Sequence, residues 1–301
     1  MTPETLAGSV IAVPPLARQA DLTINVDSNR RIIRHLEAGG VTTLLYGGNA
    51  ALAHVSLKEY PALLKMLVEA VGPQTVVVPS VGPSFGQMMD QAEVLREFPF
   101  PTVMLLPSRD AVTSAGLAAG VRRFVDKLGK PIVLYIKNDG MVDVETVQKM
   151  MGDGLISWIK YAVVRENPAN DPLLDGIIQA VGPTQVVSGM GEQPAILHMR
   201  DFHLSGFTAG CVCIAPRRSM QMLAAIRRKD YAAAEELRRT FAPLEKLRDT
   251  LSPVRVLHAA VEFAGIAETG PITPFWSPIA ETQHAVIRAA ALDLLRWNNE
   301  A

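Results

Sequence analysis

The chain is poor in the residues that would announce a metal centre or a disulfide scaffold. Its 301 residues include two cysteines, Cys211 and Cys213. They sit two apart on an apolar run, a spacing that points both side chains to one face of a strand and rules against a disulfide between them. Such sparse usage excludes the cysteine framework of a small secreted protein. The six histidines, at positions 35, 54, 198, 203, 258 and 284, form no His-x-His or His-x-x-x-His pair, so there is no zinc signature and no metal is expected. Charge of one sign is missing as well: 29 basic residues against 30 acidic ones leave a net charge of −1. That balance gives no electrostatic reason to expect nucleic acid or a membrane surface as a partner. No apolar run reaches the roughly 18 residues of a membrane span. Met1-Thr2-Pro3-Glu4 carries no basic segment followed by an apolar core, so no signal peptide is read there and a cytoplasmic location is expected. Low-complexity segments are absent, and no Gly-x-Gly-x-x-Gly opens a helix after the first strand, which weighs against a dinucleotide-binding sheet.

What is present is a repeat. Hydrophobic residues make up 49% of the chain and charged ones 20%, an ordinary globular balance. Short β-rich runs recur at 10–13, 42–46, 75–79, 102–106, 132–136, 157–161, 185–188 and 210–214. Their spacing is roughly that of a βα unit. Apolar residues at i, i+3 and i+4 predict amphipathic helices over 29–38, 57–70, 114–128, 144–151 and 172–181. Gly39-Gly40, Gly72-Pro73, Gly129-Lys130-Pro131 and Gly182-Pro183 fall between a helix and the next strand, where glycine ends a helix and proline prevents its continuation. After Pro216 the pattern is helical only, at 218–227, 231–241, 254–264 and 280–297. The expected architecture is a (β/α)8 TIM barrel over residues 1–228, carrying the active site, with a small all-helical C-terminal domain over 229–301. An open doubly wound sheet is the alternative.

Barrel sites lie at the C-terminal ends of the strands. The stretch Ser157-Trp158-Ile159-Lys160-Tyr161-Ala162-Val163-Val164 sets one lysine among seven uncharged residues. Such a lysine either snorkels to water or is buried, and burial lowers its pKa and frees a nucleophilic amine. Strand alternation puts Tyr135 and Lys137 on one face of the preceding strand and groups Lys160 with Trp158 and Ala162. Tyr135 is either a core aromatic or a proton donor beside that amine. Gly47-Gly48-Asn49 after the second strand reads as a tight turn or as a nest of N–H groups for a carboxylate. Arg109 and Arg165 read as solvated loop charges or carboxylate clamps. Glu192 and His54 have no assigned role.

These residues also carry a resemblance. The run Gly8-Ser9-Val10-Ile11-Ala12-Val13-Pro14-Pro15, Gly39-Gly40-Val41 before the second strand, Val55-Ser56 with Glu59, Leu134-Tyr135, Ile159-Lys160 and Val187-Ser188-Gly189 resemble the dihydrodipicolinate synthase/N-acetylneuraminate lyase family of class I aldolases, end to end. The resemblance implies that Lys160 forms an imine with a 2-oxo acid and that Tyr135 shuttles the proton. It implies carboxylate binding by Gly47, Gly48 and Asn49, with Gly189 at the substrate. It also implies no metal or organic cofactor beyond the covalent lysine imine, and a homo-oligomer, tetramer or dimer. The chain departs from the family at Gly48 and Asn49, where the family has two threonines. It departs at Arg109, where synthases place a tyrosine, and at Gly140, where they place an arginine whose charge Lys137 could supply. These departures point away from dihydrodipicolinate synthase itself. The expectation is a Schiff-base lyase or aldolase of a pyruvate-type or sugar-derived 2-oxo acid. A deoxy-oxo sugar-acid dehydratase using the same imine, and a non-catalytic 2-oxo-acid-binding barrel, are the alternatives.

Overall fold

A computed structural model describes residues 1–108 and 112–300. Nine strands lie among them: β1 (Ile11–Ala12), β2 (Thr43–Leu45), β3 (Val76–Val78), β4 (Ser80–Val81), β5 (Val103–Leu105), β6 (Ile132–Ile136), β7 (Ile156–Tyr161), β8 (Val186–Ser188) and β9 (Gly206–Ala209). They pair in parallel in the order β3-β2-β1-β9-β8-β7-β6-β5-β4. The two ends of that order, β3 and β4, are one strand interrupted at Pro79. Val78 O accepts the Tyr46 N–H on one side at 3.0 Å, and Pro79 O accepts the Met104 N–H on the other at 2.8 Å. Proline has no N–H to continue the ladder, so the strand changes partners there and the sheet closes on itself. The fold is a (β/α)8 barrel with a helical C-terminal part. Strands buried on both faces read as continuous apolar runs, which is why Val76-Val77-Val78 and Ile132-Val133-Leu134 stand out in the sequence.

Helices follow the strands and cap as their sequences dictate. Thr113, Asp143 and Asp171 each accept an N–H of the first turn, starting Ser114–Leu128, Val144–Gly152 and Pro172–Val181. Gly129, at φ +77°, closes the first of these in the left-handed conformation. No helix among the described residues is long and apolar enough to cross a membrane.

Three expectations need correction. The last barrel strand is Gly206–Ala209, and Cys211–Cys213 is a 3-10 turn. Gly210 O and Cys211 O accept the N–H groups of Cys213 and Ile214, so these residues leave the ladder to enter the helix Pro216–Arg227. The two cysteines are buried and free, and they do not share a strand face. Helices Phe85–Leu95 and Ala195–Asp201, unassigned from the sequence, complete the βα alternation; in the first, Met88, Gln91, Ala92 and Leu95 face inward at helical spacing although Gln91 is polar. The helix expected over 231–241 runs from Tyr231 to Thr250 with Pro243 inside it. A proline costs an interior helix a hydrogen bond, and packing against Pro216–Arg227, Pro253–Phe263 and His284–Asn299 outweighs that loss.

Candidate active site

The site begins with a register. β6 and β7 pair Ile132 with Ile156 and then Val133 with Trp158, so Ser157 is an extra residue on β7. A bulge of this kind shifts every later pair by one. The Ser157 hydroxyl anchors it, donating to Ile132 O at 3.1 Å and lying 2.9 Å from Thr102 Oγ1. Beyond the bulge Tyr135 stands opposite Lys160, and on the other side Lys160 pairs with Val187. Without the bulge Ile159 would face Tyr135, and the lysine would lie on the other surface of the sheet.

Lys160 is 5% exposed, and its Nζ sits 4.4 Å from the centre of the Tyr135 ring. No hydrogen bond or ion pair holds the ammonium among the described residues. Burial lowers its pKa from 10.5 to about 7, assisted by repulsion from Lys137 and Arg248. Half of the amine is therefore neutral near pH 7. Tyr135 is half-buried, and burial pushes its hydroxyl up to about 12, so it keeps its proton. The hydroxyl has no protein partner among the described residues.

The remaining expected residues divide. Gly189 lies against the lysine: a Cβ there would come within 3.0 Å of Lys160 Cγ and 2.8 Å of Ala162 Cβ, so glycine leaves the room that the lysine stem occupies. Gly47, Gly48 and Asn49 lie at the C-terminal end of β2, with Gly48–Ala50 forming a 3-10 turn. The N–H groups of Gly48 and Asn49 donate to no protein acceptor among the described residues, while those of Ala50 and Ala51 donate to Gly47 O and Gly48 O. A Cβ on Gly48 would meet nothing within 4 Å. The Asn49 side chain is committed elsewhere, donating to Val13 O at 2.7 Å. Lys137 is exposed at the end of β6 with no ion-pair partner among the described residues. Arg165 is not a free clamp. It binds Asp139 at 2.7 Å and the buried Asp171 at 2.8 Å, and Asp171 also accepts from the Tyr161 hydroxyl at 2.7 Å. Arg109 lies outside the described residues. A groove of about 310 Å³ beside Phe85, Met88 and Leu117 holds neither Lys160 nor Tyr135.

The whole architecture matches solved structures. Dihydrodipicolinate synthase from Bacillus clausii superposes with a TM-score of 0.83 over 97% of this chain and 98% of its own, at 20% identity. Sialic acid aldolase from Ruminococcus gnavus superposes with a TM-score of 0.85 over 98% of this chain and 99% of its own, at 12% identity. The chain has the fold of the dihydrodipicolinate synthases and sialic acid aldolases. In sequence it is similar to 4-hydroxy-tetrahydrodipicolinate synthase 2 of Streptomyces coelicolor, 26% identical over 229 residues that cover 68% of this chain and 76% of that one. No protein-family model matches.

The barrel mouth also holds groups to which the sequence pattern gave no role. Glu192, after β8, and Glu245, on the helix Tyr231–Thr250, are both buried. Glu245 Oε1 accepts the Glu192 N–H at 2.9 Å, and Ser219 Oγ donates to Glu192 Oε1 at 3.0 Å. Burial raises both carboxyl pKa values, and the neighbouring Glu192 carboxylate drives Glu245 well above the carboxylate range. One proton on the pair satisfies both observations. Gly191, at φ +81°, has no Cβ where Glu245 Oε1 passes. Cys211 completes a set of three donor atoms within 4.8 Å of one another. Burial keeps that thiol protonated, and the Arg248 guanidinium lies 3.9 Å from its sulfur, a neighbour that opposes a cation. Pro243 is the reason these residues escaped the sequence pattern: ending the helix at 241 leaves Glu245 and Arg248 in an assumed loop. His54 meets Phe275 at a tilt and Trp276 edge-on, with ring centres 5.9 and 5.5 Å away.

Two stability measurements follow from this geometry. A lysine lowered from 10.5 to about 7 destabilises the fold by about 5 kcal/mol where the folded and the unfolded chain both carry the charge. The penalty is complete below pH 7 and vanishes above 10.5. Lys160→Met is therefore expected to raise the denaturant midpoint at pH 7, with the gain shrinking towards pH 10; an unchanged midpoint argues against a strained amine. Asp171→Ala removes a helix cap and the partner of Arg165 and Tyr161, and is expected to cost about 3 kcal/mol in urea unfolding.

Proposed function

We propose that the chain is a class I, Schiff-base-forming lyase or aldolase acting on a pyruvate-type or sugar-derived 2-oxo acid. The observation that carries this reading is the Lys160 amine, buried without a partner and held against Tyr135. A structural lysine would be paired or would reach water. Support comes from the fold, which is that of synthases and aldolases, and from a second Ruminococcus gnavus sialic acid aldolase structure, described as that enzyme's catalytic lysine mutant, with a TM-score of 0.85.

The chemistry runs as follows. The neutral Lys160 amine attacks C2 of the 2-oxo acid, and the new C–N bond places negative charge on the former carbonyl oxygen. Tyr135, which keeps its proton at neutral pH, donates it to that oxygen. The amine proton returns to the tyrosine and leaves a neutral carbinolamine; Tyr135 then donates its proton to the carbinolamine hydroxyl, which leaves as water, and a protonated imine remains beside the tyrosine phenolate. The iminium then accepts the electron pair of a bond at the neighbouring carbon, so that an aldol bond breaks, or forms in reverse. We assign the substrate carboxylate to the Gly48 and Asn49 N–H groups, which lie in a turn at a strand end where Gly48 is exposed and lack acceptors among the described residues. Backbone donors suit an anion without side-chain hydroxyls. The chain thereby dispenses with a threonine pair for binding, and Tyr135 exchanges its proton with water or substrate.

Borohydride reduction tests the reading. Incubation with pyruvate and then with a panel of 2-oxo sugar acids, followed by reduction and peptide mapping, is expected to leave a stable adduct on Lys160. Lys160→Ala should abolish it while the fold persists. Tyr135→Phe should slow adduct formation on the order of 10²-fold, the usual weight of a general acid. A folded protein that gives no adduct with any acid refutes the proposal.

The pH dependence carries a sign. Lys160 is nucleophilic only when neutral, so adduct formation should rise about tenfold per unit below pH 7 and level off above it, following the lowered pKa of about 7. A profile that climbs only near pH 10 would mean an ordinary solvated lysine.

A further inference from the structure

Resting on the reading of Lys160 as the imine-forming residue, we infer that Arg248, with Lys137, forms a second anion site and selects 2-oxo acids that carry another carboxylate at their far end. Arg248 reaches the barrel from the helix Tyr231–Thr250. Its guanidinium covers Gly210, just past the end of β9, where a Cβ would fall 2.5 to 2.9 Å from Nη2, Cζ and Nη1. The strand end is thus cleared of a side chain to admit it. Nε donates to Pro253 O at 3.2 Å, which fixes the fork. Nη1 has only the weak acceptor Cys211 Sγ at 3.9 Å, and Nη2 has no hydrogen-bond partner among the described residues. Among the described residues no carboxylate forms an ion pair with the group within 4 Å. Glu192 and Glu245 stabilise its charge from further off, but Glu245 accepts from the Glu192 N–H and Glu192 from the Ser219 hydroxyl.

The charges around the lysine are lopsided. Lys137 stands at the end of β6 and Arg248 over the end of β9, one on each side of β7, and both repel the Lys160 ammonium. Among the described residues the acids near the rim are engaged: Asp139 and Asp171 hold Arg165, and Glu192 and Glu245 share a proton. A monocarboxylate such as pyruvate engages the Gly48 and Asn49 turn and leaves this positive charge unanswered. A second carboxylate answers it, and the planar fork with two lightly engaged nitrogens fits a carboxylate in bidentate fashion. Recruiting an anion to a site of lowered dielectric is where such a pair is strongest.

Two acids of equal length decide the matter: 2-oxoglutarate and 2-oxopentanoate, which differ in the terminal carboxylate. Their binding is measured by calorimetry, in parallel with borohydride trapping. Wild type is expected to prefer the diacid by about tenfold or more, the scale of a charge-assisted hydrogen bond. Arg248→Gln should bring the ratio of the two affinities to within about threefold, and Arg248→Lys, which keeps the charge and loses the fork, should fall between. A thermal melt of each variant establishes that it is folded. A wild type with no preference, or a preference that survives in Arg248→Gln, overturns the inference. Because calorimetry detects binding whether or not an imine forms, a protein that prefers the diacid but traps neither acid condemns the lyase reading alone.

Discussion

The interaction on which this structure turns is an absent one: among the described residues no counterion accompanies the Lys160 ammonium. A buried cation without an anion is among the costliest arrangements in a protein. The chain tolerates it by letting the group lose its proton and by placing the amine over an aromatic face. Everything nearby conforms to that choice. Gly189 yields space to the stem, the rim acids turn towards Arg165, and the two remaining cations keep the amine neutral from a distance. The result is a nucleophile prepared by folding.

The placement of that nucleophile depends on one extra residue. Ser157 bulges from β7, and its hydroxyl satisfies the carbonyl that the bulge would otherwise strand. The register beyond it brings a phenol and an amine face to face across neighbouring strands. The barrel supplies the rest: eight parallel strands bring their C-terminal ends to one mouth, so residues distant in sequence, such as Gly48, Tyr135, Lys160 and Arg248, belong to one rim.

Much of this was legible in the sequence. Glycine and proline punctuate the helix-to-strand turns, and uninterrupted apolar runs mark strands covered on both faces, so the βα alternation and the adjacency of Tyr135 and Lys160 could be read directly. What stayed hidden was set by partners far along the chain. The Asn49 amide belongs to Val13, and Arg165 to Asp139 and Asp171, so neither is free for a ligand. The bulge at Ser157 leaves no mark, because a bulged and a regular strand have the same composition. The run around Cys211 is as apolar as a strand, yet it turns, because the chain there must enter a helix. Pro243 conceals Glu245 and Arg248 by a rule that holds for isolated helices and gives way under tertiary packing.

The Arg165 network has a kinetic meaning. By joining Asp139 after β6 to Asp171 before the next helix, it cross-braces the two loops that border the lysine. Loops tied in this way have little freedom left to lose when a ligand arrives, so the entropy of ordering the rim is charged to folding and not to each encounter. A ligand that arrives on this side therefore meets loops that are already in place.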